Sequence, residues 1–208
     1  MFIGKWNKSV VLTYVGLIFS VIGIYICLTS GNILHALSCL MISGVCDMFD
    51  GKVARMCKRT KEEKEFGIQL DSLVDTGCFV MFPIIILLTI GLKKWYHIIV
   101  LSLFGICGIA RLAYFNITAE TNDQPVKYYT GLPVTAIAMV LPLFYLLKYC
   151  LPHNIFLIVL TFIIFINAIL NISKIKVKKP TGIAYPIFAS LALIMLILFL
   201  GVLWFIIV

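Results

Sequence analysis

Residues 47–55, DMFDGKVAR, and residues 67–75, GIQLDSLVD, are the two stretches that decide the architecture of this chain. They contain four of its five aspartates, spaced three apart in the first stretch and four apart in the second. Residues at these spacings share one face of a helix, so each stretch predicts two carboxylates on one side. A short charged segment joins the stretches, which predicts two antiparallel neighbouring helices. The four aspartates are Asp47, Asp50, Asp71 and Asp75.

Apolar residues dominate the sequence on both sides of these stretches. Of 208 residues, 62% are hydrophobic and 12% are charged, whereas soluble domains carry about a quarter charged residues. The apolar runs approach or exceed the roughly 17–25 residues that a spanning helix needs. Transmembrane β-barrels alternate apolar and polar residues in segments of about ten, and this pattern is absent here.

We therefore predict an all-α, polytopic transmembrane helical bundle of six core helices and an additional C-terminal helix. No internal repeat or low-complexity linker divides the chain, so residues 1–208 are expected to form a single domain. The seven candidate spans are Val10–Thr29, Asn32–Phe49, Phe66–Leu92, Trp95–Phe115, Tyr129–Cys150, Asn154–Ser173 and Ala184–Val208.

The distribution of cations predicts the orientation of the bundle. The first apolar run is longer than the roughly 7–15 residues of a signal-peptide core, so we expect it to remain as a spanning helix. A cytoplasmic N-terminus places fourteen of the 17 Lys and Arg residues on that side, leaving only Lys93, Lys94 and Lys148 opposite. Positive charge accumulates in cytoplasmic loops. We therefore expect the aspartates to face the cytoplasm at the cell membrane, with the net charge of +8 attracting anionic membrane lipids. Because the cations are spread over separate loops, no nucleic-acid partner is expected.

The four aspartates predict a metal site. Carboxylates at the ends of membrane helices are costly unless cations balance them, and hard oxygen ligands suit Mg²⁺, Mn²⁺ or Ca²⁺. Two ions would fit four carboxylates, and a pair of ions is a common device for phosphoryl transfer. Salt bridges to Lys or Arg are the alternative, which accounts for a single aspartate more readily than for the whole set.

Small residues accompany the carboxylates. Gly51, Ala54 and Gly67 each lie one helical turn from an aspartate, where the absence of bulk lets a ligand approach the backbone. Lys52 and Arg55 could neutralise phosphate oxygens. Close helix packing is the alternative explanation for small residues in a membrane helix.

The complete pattern, Asp-x2-Asp-Gly-x2-Ala-Arg and then Gly-x3-Asp-x3-Asp, resembles the motif of CDP-alcohol phosphatidyltransferases at every position. The resemblance implies a homodimeric membrane enzyme in which an alcohol attacks the lipid-side phosphorus of a CDP-lipid such as CDP-diacylglycerol, and CMP leaves. It implies Asp75 as the general base and metal ligand, with Asp47, Asp50 and Asp71 as further ligands. The residues that would contact the CDP-lipid are Thr13, Asp50, Gly51, Ala54, Arg55 and Gly67.

The spacing between the two halves of the motif departs from the family pattern. Eleven residues, Met56–Phe66, separate Arg55 from Gly67, about two or three more than is usual, which approaches one helical turn. The surplus lies in the charged run Lys58–Glu65, which predicts either a solvated loop or a helix extension.

Later segments are similar to the phosphatidylserine synthases of this family. These are RLAYFN at residues 111–116, YTGLPVT at 129–135 and NISKIKVKKP at 171–180, so the resemblance covers most of the chain. It implies serine as the acceptor. Arg111 could clamp the serine carboxylate, and the expected acceptor-binding residues are Arg111, Asn116 and Thr135. Gly16 stands where these synthases often carry an asparagine.

Other functions remain open at this point. Glycerol 3-phosphate or inositol phosphate could be the acceptor if Lys174–Lys179 binds its phosphate, although that cluster also suits a membrane anchor. A cation transporter would use intramembrane carboxylates, but the other helices carry almost no ionisable groups and no inverted repeat is visible. A structural protein would not need four facing carboxylates. An unrelated serine synthase chemistry, which uses His-x-Lys, is excluded because none of the three histidines has that context.

Overall fold

The computed structural model describes Gly4, residues 7–121 and 128–178, and five single positions between 190 and 199. Seven α-helices and two short strands follow one another within these residues. The helices are α1 (Val11–Thr29), α2 (Ile33–Met56), α3 (Lys61–Asp75), α4 (Phe82–Ile90), α5 (Trp95–Thr121), α6 (Ile137–Tyr145) and α7 (His153–Ile172). Three-residue strands β1 (Tyr128–Thr130) and β2 (Lys176–Lys178) pair antiparallel.

Five helical segments of the described chain are long and apolar enough to cross a membrane. The apolar segment Val134–Tyr149, which contains α6, is shorter. The all-α, polytopic prediction is thereby confirmed. The expected C-terminal span, Ala184–Val208, falls mostly outside the described residues, and the described positions within it are helical. The five long segments are Lys8–Thr29, Ile33–Met56, Lys61–Ile90, Trp95–Ile117 and His153–Ile172.

The helices that carry the motif extend beyond their apolar runs. Helix α2 continues to Met56 rather than ending at Phe49, so the whole stretch from Asp47 to Arg55 is helical. Helix α3 begins at Lys61 inside the charged run, where Thr60 and Glu63 form a capping box. The Glu63 N–H donates to Thr60 Oγ1 over 3.2 Å, and the Thr60 N–H donates to Glu63 Oε2 over 2.7 Å. Most of the surplus charged run is therefore a helix extension.

A π-helix, Thr76–Met81, connects α3 to α4 directly after Asp75. The third spanning segment is therefore continuous but changes its hydrogen-bonding period in the middle. A π-helical turn accommodates an additional residue and is often found at functional sites. In this chain it follows the polar half of the segment, which carries the aspartates, and the buried Phe79 lies within it and the buried Phe82 directly after it.

The fifth predicted span starts later than Tyr129. Residues 128–130 are extended and pair with Lys176–Lys178, and helical structure begins only at Val134, after Pro133. Between them, Gly131 has φ +77°, and a Cβ there would lie 2.6 Å from the backbone oxygen of Asn171. The Gly131 N–H donates to the Ile175 carbonyl over 2.8 Å. A glycine turn thus ties this segment to the end of α7.

Two helix pairs form the body of the bundle. Helix α1 packs along α2, where Ser43 Oγ donates a 2.8 Å hydrogen bond to the Gly16 carbonyl. Helix α5 packs along α7, where Thr161 Oγ1 and His97 Nδ1 are 2.9 Å apart. Helix α4 and the π-helix fill the space between, and their phenylalanines are fully buried there. This packing holds the end of α2 against α3.

Candidate active site

Three carboxylates converge between α2 and α3. Asp47 from α2 and Asp71 and Asp75 from α3 each offer one oxygen, and these oxygens lie within 4.8 Å of one another. Asp71 and Asp75 are one turn apart on the same helix face, and Asp47 approaches them from the facing helix. Asp47 and Asp71 are half-buried, whereas Asp75 is buried. The spacing in the sequence therefore does bring carboxylates from both helices to one point.

Asp50 is buried beside this group and is held by the first helix. Thr13 Oγ1 donates a 3.1 Å hydrogen bond to Asp50 Oδ2. The Asp50 carboxyl is also within hydrogen-bonding reach of Asp71. All four predicted aspartates thus form one cluster, with three at a common centre and Asp50 at its side.

The donor set of this cluster fits a divalent cation. Asp47 lies within hydrogen-bonding reach of Asp75, just as Asp50 does of Asp71. Two carboxylates this close repel each other unless positive charge lies between them. Arg111 provides some positive charge near Asp47. Carboxylate oxygens in a partly buried site are the ligands that Mg²⁺, Mn²⁺ and Ca²⁺ prefer.

A small cavity lies below the carboxylates, between α1, α2 and α3. Its volume is about 10 Å³, which is room for roughly one water-sized species. Asp47, Asp50 and Asp75 line its polar side, and Cys78 and Phe79 line its apolar side. The cluster therefore ends against the apolar core on this side, whereas the exposed residue beside Asp50, Gly51, lies towards the α2–α3 joint.

The small residues of the motif lie on the open side of the cluster. Gly51 is exposed, and among the described residues no atom outside the adjacent helix backbone lies within 4 Å of the position that a Cβ would take there. Ala54 is half-buried, and Arg55 is exposed in the last turn of α2. At Gly67 the nearest atom to a Cβ position is Nη1 of Arg59, at 3.8 Å. A ligand can therefore approach the α2 backbone at Gly51 without displacing a side chain.

The three residues expected to bind the acceptor take two different positions. Thr135 is within hydrogen-bonding reach of Asp47, and Arg111 on α5 is close enough to act on the charge of Asp47. Asn116, by contrast, contacts a flank of α3. Its Oδ1 accepts a 2.7 Å hydrogen bond from Ser72 Oγ, and its Nδ2 donates to Gln69 Oε1 over 3.5 Å.

Ser72 and Gln69 were not singled out in the sequence. They are three residues apart on α3, so they share a face beside the one that carries Asp71. Two polar residues at that spacing in a helix with an apolar side are the signal that could have identified them. They fix α5 against the helix that supplies two of the carboxylates.

The model of the CDP-alcohol phosphatidyltransferase family matches residues 6–208. This match covers nearly the whole chain and includes the carboxylate cluster. The chain therefore belongs to the CDP-alcohol phosphatidyltransferase family.

Curated relatives within the family agree on one type of enzyme. The chain is 36% identical over 115 residues to a CDP-diacylglycerol–serine O-phosphatidyltransferase of Saccharomyces cerevisiae, covering 52% of this chain and 41% of that protein. It is 33% identical over 167 residues to the enzyme of that name from Helicobacter pylori, covering 74% and 68%. An archaetidylserine synthase of Methanothermobacter thermautotrophicus is 32% identical over 153 residues, covering 73% and 61%. The chain thus spans less than half of the yeast relative, 68% of the Helicobacter pylori enzyme and 61% of the archaeal one.

Proposed function

We propose that this protein transfers a phosphatidyl group from CDP-diacylglycerol to the hydroxyl of L-serine, forming phosphatidylserine and CMP. The convergence of Asp47, Asp71 and Asp75 carries the proposal, because it supplies both a cation site and a base beside an open helix surface. The names of the relatives support serine as the acceptor.

The reaction exchanges one phosphorus–oxygen bond for another. The serine hydroxyl oxygen bonds to the lipid-side phosphorus, the bond from that phosphorus to the CMP oxygen breaks, and CMP leaves with the electron pair. A serine hydroxyl is a weak nucleophile at neutral pH and needs a base within hydrogen-bond reach. Asp75 accepts the hydroxyl proton in this proposal. It is buried at the inner side of the cluster, where its carboxylate is held in place by α3.

Asp47, Asp71 and Asp75 would hold one divalent ion, Mg²⁺ or Mn²⁺ with Ca²⁺ as a further candidate. Asp50, together with Asp71, would contribute to a second ion. When bound, such ions neutralise phosphate charge and stabilise the oxygens that attack and leave. The Thr13 hydrogen bond orients the Asp50 carboxylate for this role.

The CDP-lipid is expected to lie over the open side of α2. Gly51 and Ala54 carry little bulk on the α2 surface, and on α3 the position of Gly67 faces the guanidinium of Arg59. Arg55 provides a cation for the phosphates at the end of α2. Thr13 and Asp50 form the inner boundary of this substrate position, next to the metal ligands.

Serine is expected to enter from the side of α5. Arg111 would bind the serine carboxylate, since a guanidinium can pair with both of its oxygens. Thr135 lies between this position and Asp47. Asn116, engaged with Ser72 and Gln69, would act mainly by holding α5 and its Arg111 against α3. For Asn116 to contact the substrate, its hydrogen bonds with Ser72 and Gln69 would first have to break.

We also propose that the protein lies in the cell membrane with its N-terminus and active site facing the cytoplasm, as the distribution of Lys and Arg predicts. The family resemblance further implies a homodimer, which the molecular mass of the detergent-solubilised protein tests directly.

The proposed activity is tested by CMP release. The purified chain is incubated in detergent with CDP-diacylglycerol and Mg²⁺ or Mn²⁺, and CMP is measured with serine, glycerol 3-phosphate or inositol phosphate as acceptor. We expect release with serine alone, and its loss in Asp75→Asn. Release with a phosphorylated acceptor instead would replace serine but keep the reaction. A folded protein that binds metal and releases no CMP with any acceptor would contradict the proposal and favour cation transport.

A further inference from the structure

Arg59 lies in the joint between α2 and α3, within the segment that is longer than the family motif. It precedes Thr60, the N-terminal cap of α3. Its side chain nevertheless extends along α3, so that Nη1 lies 3.8 Å from the position that a Cβ would take at Gly67. The guanidinium thus covers the one residue of the first two turns of α3 that has no side chain.

The Arg59 guanidinium has a buried group without a partner. Nε is inaccessible to solvent and forms no hydrogen bond within the described part of the chain. A buried donor that belongs to a cation costs free energy when nothing accepts its hydrogen bond. The side chain is only half-buried as a whole, so an acceptor can approach the guanidinium from outside and reach Nε after a small movement of the side chain. This environment suits an anionic ligand.

The position of Gly67 shows where such a ligand would lie. Gly67, Asp71 and Asp75 follow one another at four-residue intervals and form one stripe along α3. Each turn advances about 5.4 Å. An anion held by Arg59 over Gly67 would therefore be about one turn from the Asp71 carboxylate, on the open side of the cluster.

We propose that Arg59 binds phosphate oxygens of the cytidine diphosphate group of the substrate, and that the longer α2–α3 joint supplies this additional phosphate ligand. The inference rests on the proposed function, since the CDP-lipid is the diphosphate brought to this position. Arg55 would contact the phosphates from α2, and Arg59 contacts them from the joint. A guanidinium presents several donors in a fixed fork, which matches adjacent phosphate oxygens.

The same phosphate chemistry could come from the headgroup of a neighbouring anionic lipid. Charge balance is the second alternative, in which Arg59 neutralises the carboxylate cluster and binds no phosphate. These two alternatives make different predictions for a soluble nucleotide, because neither involves CDP itself.

The test is a binding measurement on the full-length protein in detergent with Mn²⁺ present. CDP, cytidine and a short-chain phosphatidylglycerol are titrated into the wild type, Arg59→Gln, Arg59→Lys and Lys58→Gln. Lys58 is exposed in the same joint and serves as the matched control. Loss of a charge-assisted hydrogen-bonding group should weaken CDP binding about tenfold to a hundredfold in Arg59→Gln. Arg59→Lys should be intermediate, while Lys58→Gln and the cytidine titrations should match the wild type.

Unchanged CDP affinity in Arg59→Gln would overturn the inference. A loss confined to phosphatidylglycerol would assign Arg59 to a lipid headgroup, and a lower melting temperature with unchanged CDP affinity would assign it to charge balance. The proposed function is judged separately by CMP release from the wild type. Arg59-dependent CDP binding without serine-dependent release would contradict that function while the phosphate contact stands. Serine-dependent release with equal KM for CDP-diacylglycerol in Arg59→Gln would contradict the phosphate contact alone.

Discussion

Thr13 donates a hydrogen bond of 3.1 Å to Asp50 across 37 residues of sequence. Both side chains are buried, so this bond connects the first helix to the carboxylate cluster. One turn further along α1, Gly16 packs so closely on α2 that a Cβ would lie 3.3 Å from Cys46 Cβ. A larger side chain at this position, such as the asparagine that the synthases often carry, would require Cys46 or Ser43 to shift. Thr13 is thus the α1 residue whose hydroxyl bonds to the carboxylate cluster.

Replacing Thr13 by valine keeps the shape of the side chain and removes the hydroxyl. The Asp50 carboxylate then loses the group that orients it, and we expect the apparent affinity for Mn²⁺ to fall about tenfold, within the range for lost outer-shell partners of metal ligands. The dependence of CMP release on Mn²⁺ concentration measures this. Thr13→Ser, which retains the hydroxyl, should behave like the wild type. Equal metal dependence in all three proteins would show that Asp50 needs no orientation from α1.

Asp71 and Asp50 occupy different positions in the cluster, so replacing them should weaken metal binding to different extents. Asp71 belongs to the three-carboxylate centre and also neighbours Asp50. Asp71→Asn should therefore lower Mn²⁺ affinity by more than about 100-fold, beyond the loss of an outer-shell partner. Asp50→Asn should cause a smaller loss. Calorimetric titration of Mn²⁺ into chelator-treated protein distinguishes the variants, and CMP release should stop with chelator and return with metal. A greater loss in Asp50→Asn would place the principal ion elsewhere.

Gly131 and Gly51 predict opposite effects of the same substitution. Alanine at Gly131 would meet the Asn171 carbonyl at 2.6 Å with φ +77°, which should destabilise the protein by at least about 2 kcal/mol. Within the part of the chain that the structure describes, alanine at Gly51 would meet no atom within 4 Å beyond its own helix backbone, and it should stabilise α2 by up to about 1 kcal/mol. Its methyl group should nevertheless raise the KM for CDP-diacylglycerol, because it occupies the expected approach of the substrate. Melting temperatures in detergent and substrate titrations separate the two quantities.

Two cysteines report the orientation. Cys150 is exposed in the connection between α6 and α7, and Cys57 is half-buried just after α2. Positive charge predicts that Cys57 faces the cytoplasm and Cys150 the opposite side. A membrane-impermeant maleimide should therefore label intact cells at Cys150 alone, with Cys150→Ser as the control. Permeabilised cells should show labelling at Cys57 as well. Labelling of Cys150→Ser in intact cells would contradict the proposed topology.

The carboxylate cluster could be predicted because the spacing of the aspartates and the positions of the apolar runs are local properties of the sequence. Asp47 and Asp50, three apart, needed only a helix to share a face, and the short joint to α3 brought the second pair alongside. The helix ends were less predictable. Apolar content marks where a helix lies in lipid, whereas α2 continues to Met56 through a polar stretch in which Lys52, Ala54 and Arg55 favour the helix and Gly51 does not.

The prediction that the fifth span starts at Tyr129 was wrong for a different reason. Tyr129 belongs to a ladder whose partner strand, Lys176–Lys178, is more than forty residues away, and such a pairing leaves no periodic signal in either segment alone. The predicted span included Gly131 as a helical residue, and the close carbonyl of Asn171 that requires a glycine there is visible only in three dimensions. The contacts of Asn116 were unpredictable for the same reason, because its partners Ser72 and Gln69 lie on another helix.

The π-helix after Asp75 constrains how this protein can vary in length. Deleting one residue from Thr76–Met81 would let the segment become a regular α-helix, which is the more stable backbone. Because the π-turns absorb one additional residue, the aspartates would keep nearly the same relation to Phe82, and only the local widening of the helix after Asp75 would be lost. A further residue inserted there with α-helical geometry would instead turn the aspartates by about 100° relative to Phe82. Length changes are therefore better tolerated in the α2–α3 joint, where this chain already carries additional residues, than an insertion between the proposed base and Phe82.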